Sequence, residues 1–463
     1  MSFSVGYASA DNYISYNNYI QNPFNGQPTG GGTQIHLIDI HQNTGGGTQV
    51  IYESEIMNQN AWQKWFNDGT YNIQAAAAIL STTSNSVNFS YGSNIFVQTG
   101  SAAGFSFGGN LAIINPYFSP QINGTNPSAL DGYLPANQVV FPNELFTEYK
   151  LPNLLQIDAG WLYINTPWVT SVNSEALQQP TYQGILLNYQ MTANILWTAM
   201  ALNGYMPISA TGFSGLTLYN QNFNTATQTP NIHNYPSPGT IALGMQYGNN
   251  TLWKSSLWGY QFQDYANLLY GDTKYILNID PRVSYLTFAA QAAVEGANGA
   301  NVTNSSNAFA SSGYGTPQSN MIGLQFGVNY DWLGFFASYN SVFGNSTAYQ
   351  SGGLVSPYTY QYGIDPMYTS SLLGGLIEKS AGSALKLGPS FTFFDKTLMV
   401  APSFTQFWTS PYPSSTEWDM VATYNLPQVR GLSFNGFFGY LQQPVPTAGG
   451  NITYAEVLTS YVY

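Results

Sequence analysis

The feature that most constrains the fold is a two-residue period of large apolar side chains. Positions 322–330 read IGLQFGVNY, so every second residue is large and apolar, with Gly, Gln or Asn between. The same alternation recurs at 241–247 and 385–393. Because successive side chains of a β-strand point to opposite faces, each segment predicts a strand with one apolar and one polar face.

The composition decides what these strands build. Charged residues make up 6% of the 463-residue chain, aromatic residues make up 16%, and the formal net charge is −12. Soluble domains contain about 25% charged residues, so a soluble β-sandwich, the alternative fold for such strands, would have a poorly solvated surface. Low charge in long alternating strands instead predicts a transmembrane β-barrel with lipid outside and water inside. The acidic balance also argues against a nucleic-acid partner, which needs a basic surface.

About eighteen segments show the strand pattern, and they are near 12–20, 71–81, 85–98, 142–150, 153–164, 181–191, 193–204, 239–247, 250–260, 261–271, 283–294, 320–330, 331–341, 383–394, 396–408, 416–426, 430–442 and 452–463. Barrels of roughly sixteen to eighteen strands enclose an aqueous channel. We therefore expect an all-β, transmembrane antiparallel barrel that forms one domain over residues 1–463. Long connections are expected at about 21–70, 99–141, 205–238, 295–319 and 342–382.

The two ends of the chain bear on where such a barrel would reside. Residues 1–16 contain neither the basic region nor the apolar run of a signal peptide, so we expect the signal peptide of an exported protein to lie outside this chain. The final strand ends on Tyr461, Val462 and Tyr463, which resembles the signal that outer-membrane assembly machinery reads. Together with the barrel pattern, this places the protein in the outer membrane of a Gram-negative bacterium.

Residues that could carry catalysis or bind a metal are few. The chain has no cysteine, and its three histidines, His36, His41 and His233, fall in predicted loops. A metal site at His36, Asp39 and His41 has too few ligands to be favoured over ordinary loop residues. The GFSFG string at 104–108 has the G-x-S-x-G form of a nucleophile elbow, but no helical pattern follows it. We therefore expect no enzyme, no cofactor and no metal.

Three stretches of sequence resemble those of OprD-type porins of Gram-negative outer membranes. The first runs from FTEYK at 146–150 to NYQ at 188–190 and includes Ser174 and the glutamines 178–179; the second is WGYQFQDYANL at 258–268; the third is DPMYTS at 365–370. Their order and spacing extend over nearly the whole chain. The resemblance implies an eighteen-stranded barrel narrowed by infolded loops, which we match to 99–141 and 350–382. It also implies selective uptake of small carboxylates or basic amino acids.

The expected function is therefore passive diffusion of small hydrophilic solutes and ions through an outer-membrane porin that contacts membrane lipid. A loop-sealed structural or adhesive surface barrel is the alternative. The sequence leaves the oligomeric state open, with a homotrimer as one expectation, since trimers are frequent among porins.

Charged side chains on the predicted strands indicate what lines the channel. A charge facing lipid at the bilayer midplane costs about 2–4 kcal/mol, so charges in mid-strand are expected to point inward. The pore-lining candidates on strands and loops are Glu144, Glu148, Lys150, Asp158, Glu175, Lys254, Arg282, Asp365, Tyr368, Lys386, Glu417 and Asp419. Seven of them are carboxylates and four are cations. Carboxylates in a pore favour cations, so a modest cation preference is expected.

Overall fold

The computed structural model describes most of the chain from residue 68 onward. The described residues are 68–82, 87–118, 134, 138–171, 176–207, 212–213, 237–248, 252–280, 284–299, 315–356, 358, 366–377, 380–409, 414–443 and 451–462. No helix in these ranges is long and apolar enough to cross a membrane. The described helical structure is a single 3-10 turn at Tyr349–Ser351.

The described residues form eighteen antiparallel strands, which are β1 (Thr70–Thr82), β2 (Val87–Gln98), β3 (Phe105–Phe118), β4 (Val139–Leu151), β5 (Leu155–Leu162), β6 (Thr181–Thr192), β7 (Ile195–Met206), β8 (Thr240–Tyr247), β9 (Trp253–Phe262), β10 (Ala266–Asp280), β11 (Ser284–Ala297), β12 (Gln318–Tyr330), β13 (Leu333–Gly344), β14 (Gly382–Phe393), β15 (Leu398–Thr409), β16 (Ser415–Asn425), β17 (Leu432–Gln442) and β18 (Ile452–Val462). Each strand pairs with its neighbours in sequence, and β1 also pairs with β18. The sheet is therefore a closed barrel with no free edge, and the predicted fold class is confirmed.

The two faces of the barrel differ as the alternation predicts. On β12, Leu324 is 61% exposed and Phe326 is 40% exposed, whereas Gln325 between them is 4% exposed. On β16, the exposed Trp418 and Met420 flank the buried Asp419. The exposed apolar side chains form the outer surface, and the buried side chains point into the barrel. An apolar outer surface of this kind suits a bilayer.

This assignment predicts that charge is costly in the middle of the outer face. Leu324→Arg should lower the free energy of unfolding by about 2–4 kcal/mol, because the arginine would lie at mid-depth in lipid. Tyr330→Arg is the matched control, since Tyr330 ends the same strand on the same face, and a charge near the interface costs only about 0–1 kcal/mol. Unfolding in urea from lipid vesicles measures both. Equal losses for the two variants would contradict the assigned depth.

Two strand assignments from the sequence need correction. The loop predicted over 99–141 contains the strand β3, Phe105–Phe118, so the GFSFG string enters a barrel strand and does not lie in a loop. Two residues break the alternation of this strand: Gly109 lies in the outward phase, where a large apolar side chain is expected, and Ile114 lies in the inward phase. The strand predicted near 12–20 lies outside the described residues. The boundary predicted at 260/261 is also wrong, because β9 continues to Phe262 and β10 starts at Ala266.

The connections after even-numbered strands are all short, whereas those after odd-numbered strands include all the long ones, so the two kinds lie at opposite rims of the barrel. The short turns after β4, β12 and β14 contain Asn153, Asp331 and Asp395, with φ of 59°, 49° and 53°. Asn and Asp tolerate this left-handed conformation better than other residues that have a side chain. The longer connections include 119–138, 163–180, 207–239, 298–317 and 345–381, and all begin and end at the other rim.

Candidate pore and its infolded loops

All charged residues within the described strands, leaving out the first and last residue of each strand, occupy the inward phase of the alternation. They comprise eight carboxylates and four lysines: Glu144, Glu148, Asp158, Asp272, Glu295, Glu417, Asp419, Glu456, Lys150, Lys254, Lys274 and Lys386. The rest of the inward face is rich in Asn, Gln, Ser and Thr. The barrel interior is therefore a polar wall with an excess of acidic groups.

Three connections from the long-loop rim fold into this interior. Leu134, Leu177, Leu372 and Leu373 come from three different connections and share one apolar cluster with the inward Leu458 of β18. The connection that holds Leu177 leaves β5, yet Asn94 on β2 donates from Nδ2 to the Leu177 carbonyl at 3.3 Å. These loops therefore reach inward-facing side chains of strands to which they are not connected in sequence.

The connection between β13 and β14 is held by side chains that bind its backbone. Asn340 Oδ1 accepts from the Thr369 N–H at 3.1 Å and from the Thr369 hydroxyl at 3.2 Å. Glu295 Oε2 accepts from the Val355 N–H at 2.9 Å, and Glu417 Oε1 accepts from the Leu373 N–H at 2.6 Å. These three acceptors come from β13, β11 and β16. Backbone groups of an irregular segment are thus satisfied inside the barrel, as burial requires.

A buried charge cluster lies where this connection meets β14 and β16. Lys386 Nζ is 3.8 Å from Asp419 Oδ2, and both side chains are fully buried. The same ammonium donates to the Ser370 carbonyl, and Glu417 is also buried. Next to the cluster, the hydroxyls of Ser371 and Thr405 are 2.6 Å apart. Loop and wall are therefore joined here by charge-assisted hydrogen bonds, which are stronger than those between neutral groups.

A second acidic group lies on β4 and β5. Glu148 and Asp158 are directly opposite each other in the strand register. Glu148 Oε1 accepts from Gln98 Nε2 at 3.2 Å and from Ser106 Oγ at 3.0 Å, while Asp158 Oδ2 accepts from Gln156 Nε2 at 3.0 Å. The donors in these three contacts are neutral side chains, and both carboxylates belong to the inward face.

Glu144 lies on the same wall and fixes the start of the connection after β5. Its Oε1 accepts from the Tyr163 N–H at 3.3 Å, and Asn143 Nδ2 donates to the Tyr163 hydroxyl oxygen. Burial first, and then the charge of Glu144, raise the pKa of Tyr163 well above its ordinary value. The phenol therefore stays neutral.

Aromatic side chains fill the interior along β6 to β9. Trp258, Tyr260 and Phe262 alternate along β9, and their rings stack with centroids 5.7 Å apart. The loop residue Tyr358 packs edge-on against Tyr182 and Phe262, and its hydroxyl is 2.9 Å from Thr240 Oγ1. Burial raises the pKa of Tyr358 to about 12, so this hydroxyl stays protonated at physiological pH. These aromatic side chains therefore form one buried cluster with the loop residue Tyr358.

The comparisons with known proteins agree with this architecture at the level of the fold. No protein-family model and no curated protein sequence matches the chain. Solved structures do. The chain superimposes on Pseudomonas aeruginosa OccK8 (OprE) with a TM-score of 0.68 and 15% identity, over 86% of this chain and 99% of that one. For P. aeruginosa OpdK with vanillate, the TM-score is 0.67 and the identity 11%, over 86% of this chain and 99% of that one. For P. aeruginosa OccK5 (OpdH), the TM-score is 0.65 and the identity 13%, over 86% of this chain and 98% of that one.

The chain has the OprD-type porin fold. The resemblance seen in the sequence motifs is thereby confirmed for the fold. A likeness at these identities establishes the fold alone.

The OprD-type barrel places the predicted pore residues as follows. Glu144, Asp158, Lys386, Glu417 and Asp419 are buried on the inward face. Another group, half-buried on the same face, consists of Glu148, Lys150 and Lys254. Tyr368 belongs to the connection between β13 and β14, and its side chain is buried. Glu175, Arg282, Asp365 and the three histidines lie outside the described residues.

Sequence reasoning missed four inward charges, Asp272, Lys274, Glu295 and Glu456. The strand predicted at 261–271 ended one residue before Asp272, and the strand predicted at 283–294 ended one residue before Glu295. Extending the alternation by one residue finds Asp272 and Glu295, and extending it by three finds Lys274. Glu456 lies within a predicted strand, between the outward residues Ala455 and Val457, and its phase alone assigns it to the interior.

Proposed function

We propose that the protein is an outer-membrane porin through which small hydrophilic solutes diffuse. The observation that carries this proposal is the distribution of charge in a closed barrel: every non-terminal charged residue of the described strands points inward, and the outer face is apolar. A water-filled interior explains that distribution, because charges need water or partners. The likeness in fold also favours a channel over an enzyme.

The charge excess indicates which solutes pass most readily. The solved structure of OpdK contains vanillate, an anionic carboxylate. The sequence resemblance implied that the solutes taken up are small carboxylates or basic amino acids. On the described strands of this chain, the inward face has eight carboxylates and only four lysines. Carboxylate-lined pores favour cations. We therefore propose that small cations and neutral hydrophilic solutes pass in preference to anions.

Reconstitution in planar lipid bilayers tests the porin function. Folded protein should insert as discrete channels and produce stepwise increases in conductance in potassium chloride. Folding is checked independently by the shift in gel mobility between unheated and heated samples, which closed barrels show. Folded protein that inserts but never conducts would overturn the proposal and favour a loop-sealed surface barrel.

The ion preference should depend on the acidic pair of β4 and β5. A reversal potential measured across a potassium chloride gradient should show more potassium than chloride permeation. The double variant Glu148→Gln/Asp158→Asn should bring the permeability ratio closer to one, and high salt should do the same in the wild type by screening. Asp331→Asn, which removes a charge from an exposed turn, is the control. A chloride preference in the wild type, or an unchanged ratio in the double variant, would contradict the assignment.

A further inference from the structure

The hydrogen-bonded ladder between β14 and β15 is interrupted within the barrel wall. The two strands pair over 382–387 with 404–409, and they pair again, in the same register, over 391–393 with 398–400. The three positions between these segments are unpaired across this seam, although both strands keep their pairing with β13 and β16 there. Of the seams between neighbouring described strands, this is the only one that loses pairs without a shift in register.

Two prolines cause the interruption, because the register places Pro389 of β14 opposite Pro402 of β15. The N–H and C=O of a strand residue point to the same neighbouring strand, and those of the next residue point to the other. The Thr392 N–H donates to the turn before β13, and the Thr397 carbonyl accepts from β16. By this alternation, both prolines direct their carbonyls into the seam. Proline has no N–H, so each carbonyl faces a residue that cannot donate to it.

Other prolines in the wall are accommodated by a change of register. Pro116 of β3 and Pro142 of β4 lie beside register shifts, which is where prolines in sheets are usually found. Pro389 and Pro402 have no such shift, and both belong to the outward rows of large apolar residues. Backbone groups that face lipid need internal partners. The seam between β14 and β15 is therefore a weak point in the lipid-facing part of the wall.

The inner side of this weak point combines small side chains with an apolar recess. The inward residues of the interrupted segments are Gly388, Ser390, Ala401 and Ser403. Behind them, a Cβ at position 388 would lie 2.9 Å from the Phe336 ring, and Tyr368 clusters with Ala401 and Met399. Met399 is half-buried on the inward row, so the recess borders an accessible part of the interior.

We propose that the wall opens between β14 and β15, and that small molecules with an apolar body and one hydrogen-bond donor exchange there between the interior and the bilayer. The apolar body would contact Phe336, Tyr368 and Met399. The donor would bind the carbonyl of Pro389 or Pro402, which lacks a partner across the seam. This lateral path is additional to the passage of hydrophilic solutes along the barrel.

Hydrogen exchange of the full chain in lipid vesicles, followed by mass spectrometry, tests the opening itself. Peptides that contain 387–391 and 400–404 should exchange several-fold faster than peptides from the uninterrupted seam between β12 and β13, because opening exposes their amides. The double variant Pro389→Leu/Pro402→Leu gives each carbonyl a donor and should slow this exchange. Equal exchange at the two seams in the wild type would overturn the proposal.

A cross-strand disulfide tests the lateral path. The chain has no cysteine, so Ser390→Cys/Ala401→Cys introduces one pair of thiols on opposite inward positions of the gap. Gram-negative cells that express the wild type should take up N-phenyl-1-naphthylamine, an apolar probe with one N–H, faster than cells without it; its fluorescence in the bilayer measures the rate. The oxidised variant should lose this gain, and a reductant should restore it. Gln325→Cys/Ser338→Cys, which joins directly opposite inward residues of β12 and β13, is the matched control and should keep the gain.

The outcomes distinguish the lateral path from the porin function. The oxidised variant should conduct potassium chloride like the wild type, and a wild type that never conducts would overturn the porin function alone. Equal probe uptake by the oxidised and reduced forms would overturn the lateral path alone. If the cysteine variant fails to fold, as judged by gel mobility, the double-leucine variant decides, because its undiminished probe uptake also contradicts the proposal.

Discussion

Replacing Lys386 by methionine should lower the free energy of unfolding by about 3–5 kcal/mol, the cost of leaving a buried charge without its partner. Lys386 is fully buried within 3.8 Å of Asp419, and it donates to the Ser370 carbonyl. The substitution would leave two buried carboxylates, Asp419 and Glu417, with no cation and would free the loop at Ser370. Urea unfolding from lipid vesicles, followed by tryptophan fluorescence, measures the loss.

Two further variants control this experiment. Lys254→Met removes an inward lysine that is only half-buried, so it should cost much less. The double variant Lys386→Met/Asp419→Asn should recover part of the stability lost in the single variant, because it removes one of the unpaired carboxylates. A loss below about 1 kcal/mol in Lys386→Met, as for an exposed ion pair, would show that the cluster is solvated.

Removing the infolded connection between β13 and β14 should increase the conductance several-fold. Replacing residues 353–377 by a short glycine–serine linker would withdraw Leu372 and Leu373 from the interior cluster that they form with Leu177. It would also withdraw the ring of Tyr368. The strand pairing that closes the barrel, β1 with β18, does not involve this connection, so the barrel should still form.

Single-channel recording of the loop-replaced barrel measures this effect, and the gel-mobility shift on heating shows whether the barrel has formed. A folded variant with wild-type conductance would show that this connection does not limit the flow of ions.

The strands were predictable because their alternation is a local property of the sequence. On β12, five large apolar residues alternate with small or polar ones over 322–330, and the structure places this segment in β12 with the predicted faces. The pattern failed on β3, because Gly109 takes an outward position and Ile114 takes an inward one. Ile114 is buried in the apolar cluster that contains the loop residues Leu134 and Leu177. A contact between this strand and the infolded loops therefore removed the local signal.

The loop contacts were not predictable in the same way. Glu295 accepts a hydrogen bond from the Val355 N–H, 60 positions away in the sequence. Asn94 donates one to the Leu177 carbonyl, 83 positions away. Nothing in the local pattern around these residues specifies the partner. The sequence left residues 165–180 between two predicted strands without indicating where they pack, and the structure buries Trp168 and Val169 of this connection in an interior cluster.

The most direct test of the porin function is swelling of proteoliposomes in isosmotic solutions of uncharged sugars of increasing size. Uncharged solutes remove the influence of the acidic wall, so the rate depends on the open path through the barrel. The structure predicts faster swelling than in protein-free vesicles with the smallest sugars, and a rate that falls steeply as sugar size increases. Folded barrels that give no swelling with any sugar would contradict a water-filled path through the interior.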